Sequence, residues 1–279
     1  MASKRLIGGL GFAEGPRWHQ GRLWFSDFGE RVVRAVDLDG TAHETVRVAA
    51  SPSGLGWLPD GSLLVVSMTD QRVLRTSSHG TVEHADLSRF TPTACNDMVV
   101  DADGNAYVGY MGFDLFASPI QPEPASLILV RADGSASVAA SDLMFPNGVV
   151  LSPDGRTLIV AETFGGRLTA FDVASDATLS RRRVFADLPD RAPDGICLDR
   201  AGAVWVADAV GKACVRVLEG GAVTDVVETG RGCFACALGG ADGRTLFLCV
   251  ADGYDRDSMT LQTGAIEMVQ VDVPSSAIP

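Results

Sequence analysis

The chain has 279 residues, 46% of them hydrophobic, with six cysteines and a formal net charge of −12. Its apolar content is ample for a core, and the negative charge argues against nucleic acid or an anionic membrane as partner, since both call for a basic surface. No apolar run approaches the roughly 20 residues needed to cross a bilayer, and the opening MASKRLIGGLGFAEG carries a basic pair without the apolar stretch of a signal peptide, so the expectation is a cytoplasmic protein.

From residue 15 onward one pattern recurs six times: a short apolar strand, a tight glycine turn, and a second apolar strand. The copies are GPRWHQGRLWFSD (15–27), LGWLPDGSLLVVS (55–67), DMVVDADGNAYVG (97–109), GVVLSPDGRTLIVAE (148–162), GICLDRAGAVWVAD (195–208) and CALGGADGRTLFLCV (236–250). Their turn glycines, Gly21, Gly61, Gly104, Gly155, Gly202 and Gly243, are 40 to 51 residues apart. A period of roughly 40–50 residues with several short strands marks a β-propeller blade. The reading is an all-β, six-bladed propeller of four-stranded antiparallel blades around a central channel, forming a single domain over 1–279.

In chain order, the first unit has too few residues before its hairpin to complete a blade. The second supplies SGLGWLP, SLLVVSM, RVLRTS and TVEHADL as successive strands. The third is followed by MGFDLFASPIQPEPAS (111–126), a long proline-bearing loop where a tight turn would suffice; such loops are commonly functional, and this one leaves the strand end nearest the channel mouth. The fourth gives FPNGVVLSP as innermost strand, then RTLIVAET, RLTAFDV (167–173) and RRRVFADL (181–188) outward. In the sixth, Cys233-Phe-Ala-Cys236 has the spacing of a redox or zinc half-motif, but with no second pair it reads as structural. The final AIEMVQVDV (265–273) reads as an extra strand without a hairpin partner, so the two ends of the chain are expected to share a blade and close the ring.

Polar residues interrupt this pattern at one register. Asn96, Asn147 and Asp194 each stand eight residues before a turn glycine, and Glu14 stands seven before Gly21, whose hairpin is one residue shorter. The same count places small residues, Ser53 and Ala235, at the two remaining positions. Equivalent positions in a ring of blades lie at one height near the axis, where unpaired charge is costly to bury. Glu14, Asn147 and Asp194 offer oxygen donors, which suit a hard divalent cation. Asn96 is a fourth ligand, direct or through water, or holds substrate. The histidines, His19, His43, His79 and His84, fall in turns or outer strands by this reading, which disfavours a Ser–His–Asp triad or a histidine zinc site. No nucleotide-binding loop is present.

At these residues, EGPRW (14–18), ND (96–97), FPNGVVLSPDG (145–155), PDGICLDRAGAVWVAD (193–208) and CALGG (236–240), the chain resembles the regucalcin/gluconolactonase/luciferin-regenerating-enzyme family. The resemblance spans essentially the whole length. It implies a six-bladed propeller with one divalent metal on the axis, ligated by Glu14, Asn147 and Asp194. It further implies Asn96 as substrate-contacting or ligating residue, Asp194 as general acid/base, and hydrolysis of a lactone. Calcium is the first choice of metal, with zinc, magnesium, manganese and iron(II) as alternatives. Several sugar lactonases of the family carry Arg two residues before the ND pair; this chain has Ala94 there, which shifts weight toward a less polar lactone or ester. The alternatives are a phosphotriester or aryl-ester hydrolase on the same site, a non-catalytic metal-binding propeller, or a carbon–carbon bond-forming enzyme of the strictosidine synthase type without a metal ring. The expected partner is a small-molecule lactone or ester, and the expected state a monomer or weak homo-oligomer.

Overall fold

The structure, a computed structural model, describes residues 3–276. The first two and last three residues of the span 1–279 expected as one domain lie outside the described residues. Six four-stranded antiparallel sheets are arranged as blades. Their inner strands are Ala13–His19, Pro52–Trp57, Cys95–Val100, Pro146–Leu151, Pro193–Leu198 and Gly232–Gly239. Each inner strand packs on the next, and the sixth returns to the first, closing a ring about an axis. Local sequence sets the hairpins. Gly61, Gly104, Gly155 and Gly243 take φ between 68° and 85° in their turns, a region that costs a glycine little and other residues much.

Blade 4 runs outward through Pro146–Leu151, Thr157–Glu162, Arg167–Val173 and Leu179–Asp187, in the order the sequence predicts. Blade 6 is assembled from both ends of the chain. Gly232–Gly239, Thr245–Ala251 and Gly264–Gln270 are joined on their outer edge by Lys4–Leu10, with Lys4 opposite Met268 and Leu10 opposite Gly264. The shared blade is as expected. The expectation that the last strand lacks a hairpin partner is not: Gly264–Gln270 pairs along Thr245–Ala251. The connection between them, 252–263, holds a short helix, Arg256–Thr260, capped by Asp255, whose side chain accepts from Ser258 N.

The core lies between blades. Ile159, Leu168 and Phe185 of blade 4, for example, pack against Ile196, Val206 and Val215 of blade 5. All six cysteines are free thiols. Cys233 and Cys236 sit buried on the innermost strand of blade 6, packed with Cys214 between blades, and the Cys236 sulfur lies 3.7 Å from that of Cys197. His19 departs from expectation in ending an inner strand rather than lying in a turn, and it stacks on Trp57 with ring centroids 3.9 Å apart. Among the described residues no helix is long and apolar enough to cross a membrane.

Candidate active site on the propeller axis

Every inner strand is irregular near its start. The register slips between Glu14 and Arg17, Pro52 and Leu55, Cys95 and Met98, Pro146 and Val149, Pro193 and Ile196, and Cys233 and Ala235. A bulge of this kind re-aims a side chain out of the sheet's alternation. It is where the polar residues fall, and Glu14, Asn96, Asn147 and Asp194 all line one cavity on the axis. Asn96, Asn147 and Asp194 are buried and Glu14 is half-buried.

The sixth position is not Ala235, as counting from the turn glycine predicts, but Phe234. Cys233 pairs with Val250 as Pro146 pairs with Glu162, so the residue after each occupies the ring. Unit six holds one more residue before its turn glycine, which defeats the count. Ala235 belongs instead to the tier beneath, with Gly148 and Gly195. There the strands approach so closely that a Cβ on Gly148 would sit 2.7 Å from Gly195 Cα, and one on Gly195 would sit 2.6 Å from Ala235 Cα. In blade 3 this tier carries Asp97, which accepts 2.8 Å hydrogen bonds from Arg17 Nη2 and from its neighbour's amide, Met98 N. Arg17 also donates to Met98 O at 2.6 Å. The sequence hid this pair because its partners stand 80 residues apart.

Neighbouring groups fix how the ring amides point. Thr163 Oγ1 spends its hydrogen on Pro193 O (2.7 Å) and so can only accept from Asn147 Nδ2 (3.2 Å). The Asn147 side chain also faces Asp194 and favours its charged form. With Nδ2 directed at Thr163, the Asn147 carbonyl oxygen is left as a donor atom. Ser53 Oγ donates to Asn96 Oδ1 at 3.4 Å, which presents the Asn96 NH2 group. Gly15 N donates to Glu14 Oε2 at 3.0 Å.

Charge at the ring is unbalanced. Burial drives the Glu14 carboxyl well above its ordinary range, and the charge of Asp194 drives it further. Burial likewise lifts Asp194, helped by Asp97 and opposed by the Asn147 side chain. Asp194 Oδ1 is buried with no hydrogen-bond partner. Arg17, the cation nearest in this network, is already bonded to Asp97. Among the described residues no three His, Cys, Asp or Glu side chains are grouped to hold a metal. The ring offers two carboxylates and the Asn147 carbonyl oxygen instead, an all-oxygen set that fits a hard divalent cation rather than a thiolate- or imidazole-seeking one.

Acidic residues ending the second strands of three blades shape the loops above the ring. Asp27 accepts from the amides of Gly11, Phe12 and Glu30. Asp208 binds Arg191 and the amides of Ala192 and Gly211. Glu162, fully buried, accepts from Arg167 (2.8 and 3.0 Å), from Thr169 and from Met144 N (2.8 Å). The recurring endings FSD, VAE and VAD carry this signal in the sequence.

The cavity above the ring measures about 950 Å³, within the usual size range of small-molecule sites. The long loop after blade 3's second strand forms part of its wall through Met111, Phe113 and Phe116, and the helix-bearing segment 252–263 contributes Tyr254 and Met259. The sequence flags the first loop by its length; the second was missed, because a twelve-residue connection between strands is unremarkable.

A six-bladed propeller with acidic and amide oxygens converging at the floor of one axial cavity defines a class of proteins built around a single axial site. A family model described as the SMP-30/Gluconolactonase/LRE-like region matches residues 12–252, and the chain belongs to that family. It is 30% identical to a 6-deoxy-6-sulfogluconolactonase of Pseudomonas putida over 70% of this chain and 66% of that protein, so it spans just under two thirds of that relative's length. It is 24% identical to a regucalcin of Xenopus laevis over 88% of this chain and 85% of that one. The solved structure of a luciferin-regenerating enzyme superposes with a TM-score of 0.84 at 20% identity, over 98% of this chain and 97% of the other, a likeness of fold.

Proposed function

We propose that this protein is a metal-dependent hydrolase that opens a lactone ring, with Glu14, Asn147 and Asp194 holding one divalent cation, Asp194 acting as general acid/base and Asn96 binding substrate. The observation that carries the reading is the buried, unpartnered Asp194 oxygen, in register with Glu14, Asn96 and Asn147 at the floor of a cavity. Membership of a family that includes a sulfogluconolactonase supports the reaction class.

When bound, a divalent cation polarises the ester carbonyl and offsets the negative charge that develops there. A hard ion such as calcium acidifies water less than zinc does, so a carboxylate base is needed. The Asp194 carboxylate takes a proton from water as the water oxygen adds to the carbonyl carbon. The ring C–O bond then breaks, and the proton passes from Asp194 to the departing ring oxygen. The product is the open hydroxy acid, and Asp194 is regenerated. Asn96, oriented by Ser53, offers its NH2 group to the substrate. Phe12, Phe234 and Phe113 place apolar surface beside the ring.

The test is acid release from a lactone panel after metal stripping and reconstitution with single divalent cations. Release that requires a cation is expected. No release from any lactone with any cation would overturn the reading.

A further inference from the structure

Above its polar floor the cavity is aromatic. Seven of the chain's twelve phenylalanines line it. Five of them, with Tyr254, form two groups on opposite flanks of the ring. Phe113, Phe145 and Phe164, from blade 4 and the long loop, contact one another with centroids 5.0–5.7 Å apart. Phe12, Phe234 and Tyr254 form a second chain, with Phe12–Phe234 at 4.7 Å and Phe234–Tyr254 at 6.5 Å.

Several polar groups of the walls already hold a hydrogen bond within the protein. Thr69 Oγ1 donates to Ala50 O, Thr93 Oγ1 is bonded to Thr91 and to Gly112 N, and Thr163 is held by Pro193 O. Arg31 donates to Ala49 O and Asp114 accepts from Phe116 N. A polyhydroxylated ring carries a hydroxyl on nearly every carbon, and each needs a partner once buried. These walls have few to give. Ala94, at the floor's edge, presents only a methyl group.

Phe145 is also held in a strained backbone. Its φ is +60°, a left-handed conformation that is an outlier for a bulky residue and persists only where the surroundings impose it. Glu162, through Met144 N, fixes the residue before it, and Thr163 N donates to Phe145 O. The strain keeps an aromatic ring on the cavity wall two residues from Asn147.

We propose that this cavity is built for an amphipathic lactone: the ester group lies on the polar floor, and apolar aryl or alkyl substituents lie between the Phe113–Phe145–Phe164 and Phe12–Phe234–Tyr254 groups. A polyhydroxylated sugar lactone is the disfavoured occupant. The inference rests on reading the ring as the ester-opening site, and its test separates the two.

In the first arm, cation-loaded protein is assayed for kcat/KM on dihydrocoumarin and on glucono-1,5-lactone, corrected for spontaneous opening. Dihydrocoumarin is expected to lead by about tenfold or more. A preference for gluconolactone overturns the inference and leaves lactone hydrolysis standing. In the second arm, calorimetry compares non-hydrolysable lactams, 3,4-dihydro-2-quinolinone and gluconolactam. The quinolinone is expected to bind more tightly, and Phe113→Ala and Phe234→Ala are each expected to weaken it about tenfold. Phe113→Leu and Phe234→Leu serve if the alanine variants fail to fold. Tighter gluconolactam binding, or variants that bind the quinolinone unchanged, overturns the inference. If no lactone is opened, the hydrolase reading falls, and the lactam arm still decides what the cavity accepts.

Discussion

Asp194 carries the most weight among single residues, because burial, the Asp97 charge and an unpartnered oxygen converge on it. Asp194→Asn retains an oxygen donor and removes the base. Turnover is expected to fall at least about 100-fold while metal analysis still finds a bound cation; undiminished turnover with cation bound would remove Asp194 from its proposed role. Glu162 acts at one remove, as a clamp on the loop that carries Phe145. Burial alone would raise its carboxyl, but hydrogen bonds from Arg167, Thr169 and Met144 N outweigh burial and hold it below the ordinary value. A carboxylate lowered in the folded state contributes stability above the unfolded value, and that contribution is lost as pH falls through the folded one. Glu162→Gln is therefore expected to cost about 3 kcal/mol at pH 7, in urea unfolding, with the gap to the parent protein closing in acid. A gap that stays constant between pH 7 and pH 3 would contradict this. What the sequence disclosed at this scale depended on spacing. Asn96, Asn147 and Asp194 could be aligned because each keeps one distance to a glycine. Phe234 could not, since unit six adds a residue before its turn and only strand pairing reveals the shift. Arg17 and Asp97 escaped because nothing local marks two charges 80 residues apart as partners.

At the scale of elements, the hairpins were legible because Asp-Gly turns and apolar strands specify them with few residues. Blade membership at the ends of the chain required the ring as a whole. Gly264–Gln270 reads as unpaired in sequence because residues 252–263 separate it from the strand it pairs with. Removing residues 265–279 deletes nearly all of this strand and strips Lys4–Leu10 of its one sheet neighbour among the described residues. The truncated chain is expected to lose its cooperative thermal transition; one that melts like the full chain would contradict the closure described here. The bulges were invisible, since a bulge is a property of two paired strands. Their effect is nonetheless what converts six ordinary strand starts into one floor of inward-facing side chains.

The whole molecule is a stack of interblade layers with a charge-imbalanced floor on the axis. Ligand binding to the folded state alone raises stability by about 2.7 kcal/mol when free ligand is a hundred times its dissociation constant. Chelation is thus expected to lower the melting temperature, and the cation that supports turnover to restore it; a melting temperature indifferent to chelator would argue against an axial cation. The thiols report on the same layers. Five of the six cysteines are buried and Cys197 is half-buried, and burial pushes the Cys95 thiol up to about 12. Ellman's reagent is expected to titrate at most one thiol rapidly in the native protein and all six after denaturation; several fast native thiols would contradict the layered packing.

Blade 6 also has a consequence for how the protein is made. Lys4–Leu10 precedes its one sheet partner among the described residues, Gly264–Gln270, by some 250 residues of synthesis. Until then the nascent chain has five complete blades at most and carries an early strand with its hydrogen-bonding edge unmet. Bringing such distant segments together carries a loop-closure cost that local hairpins avoid. Ring closure therefore waits until Gly264–Gln270 has been made, and the interval before it leaves the Lys4–Leu10 edge open to other contacts.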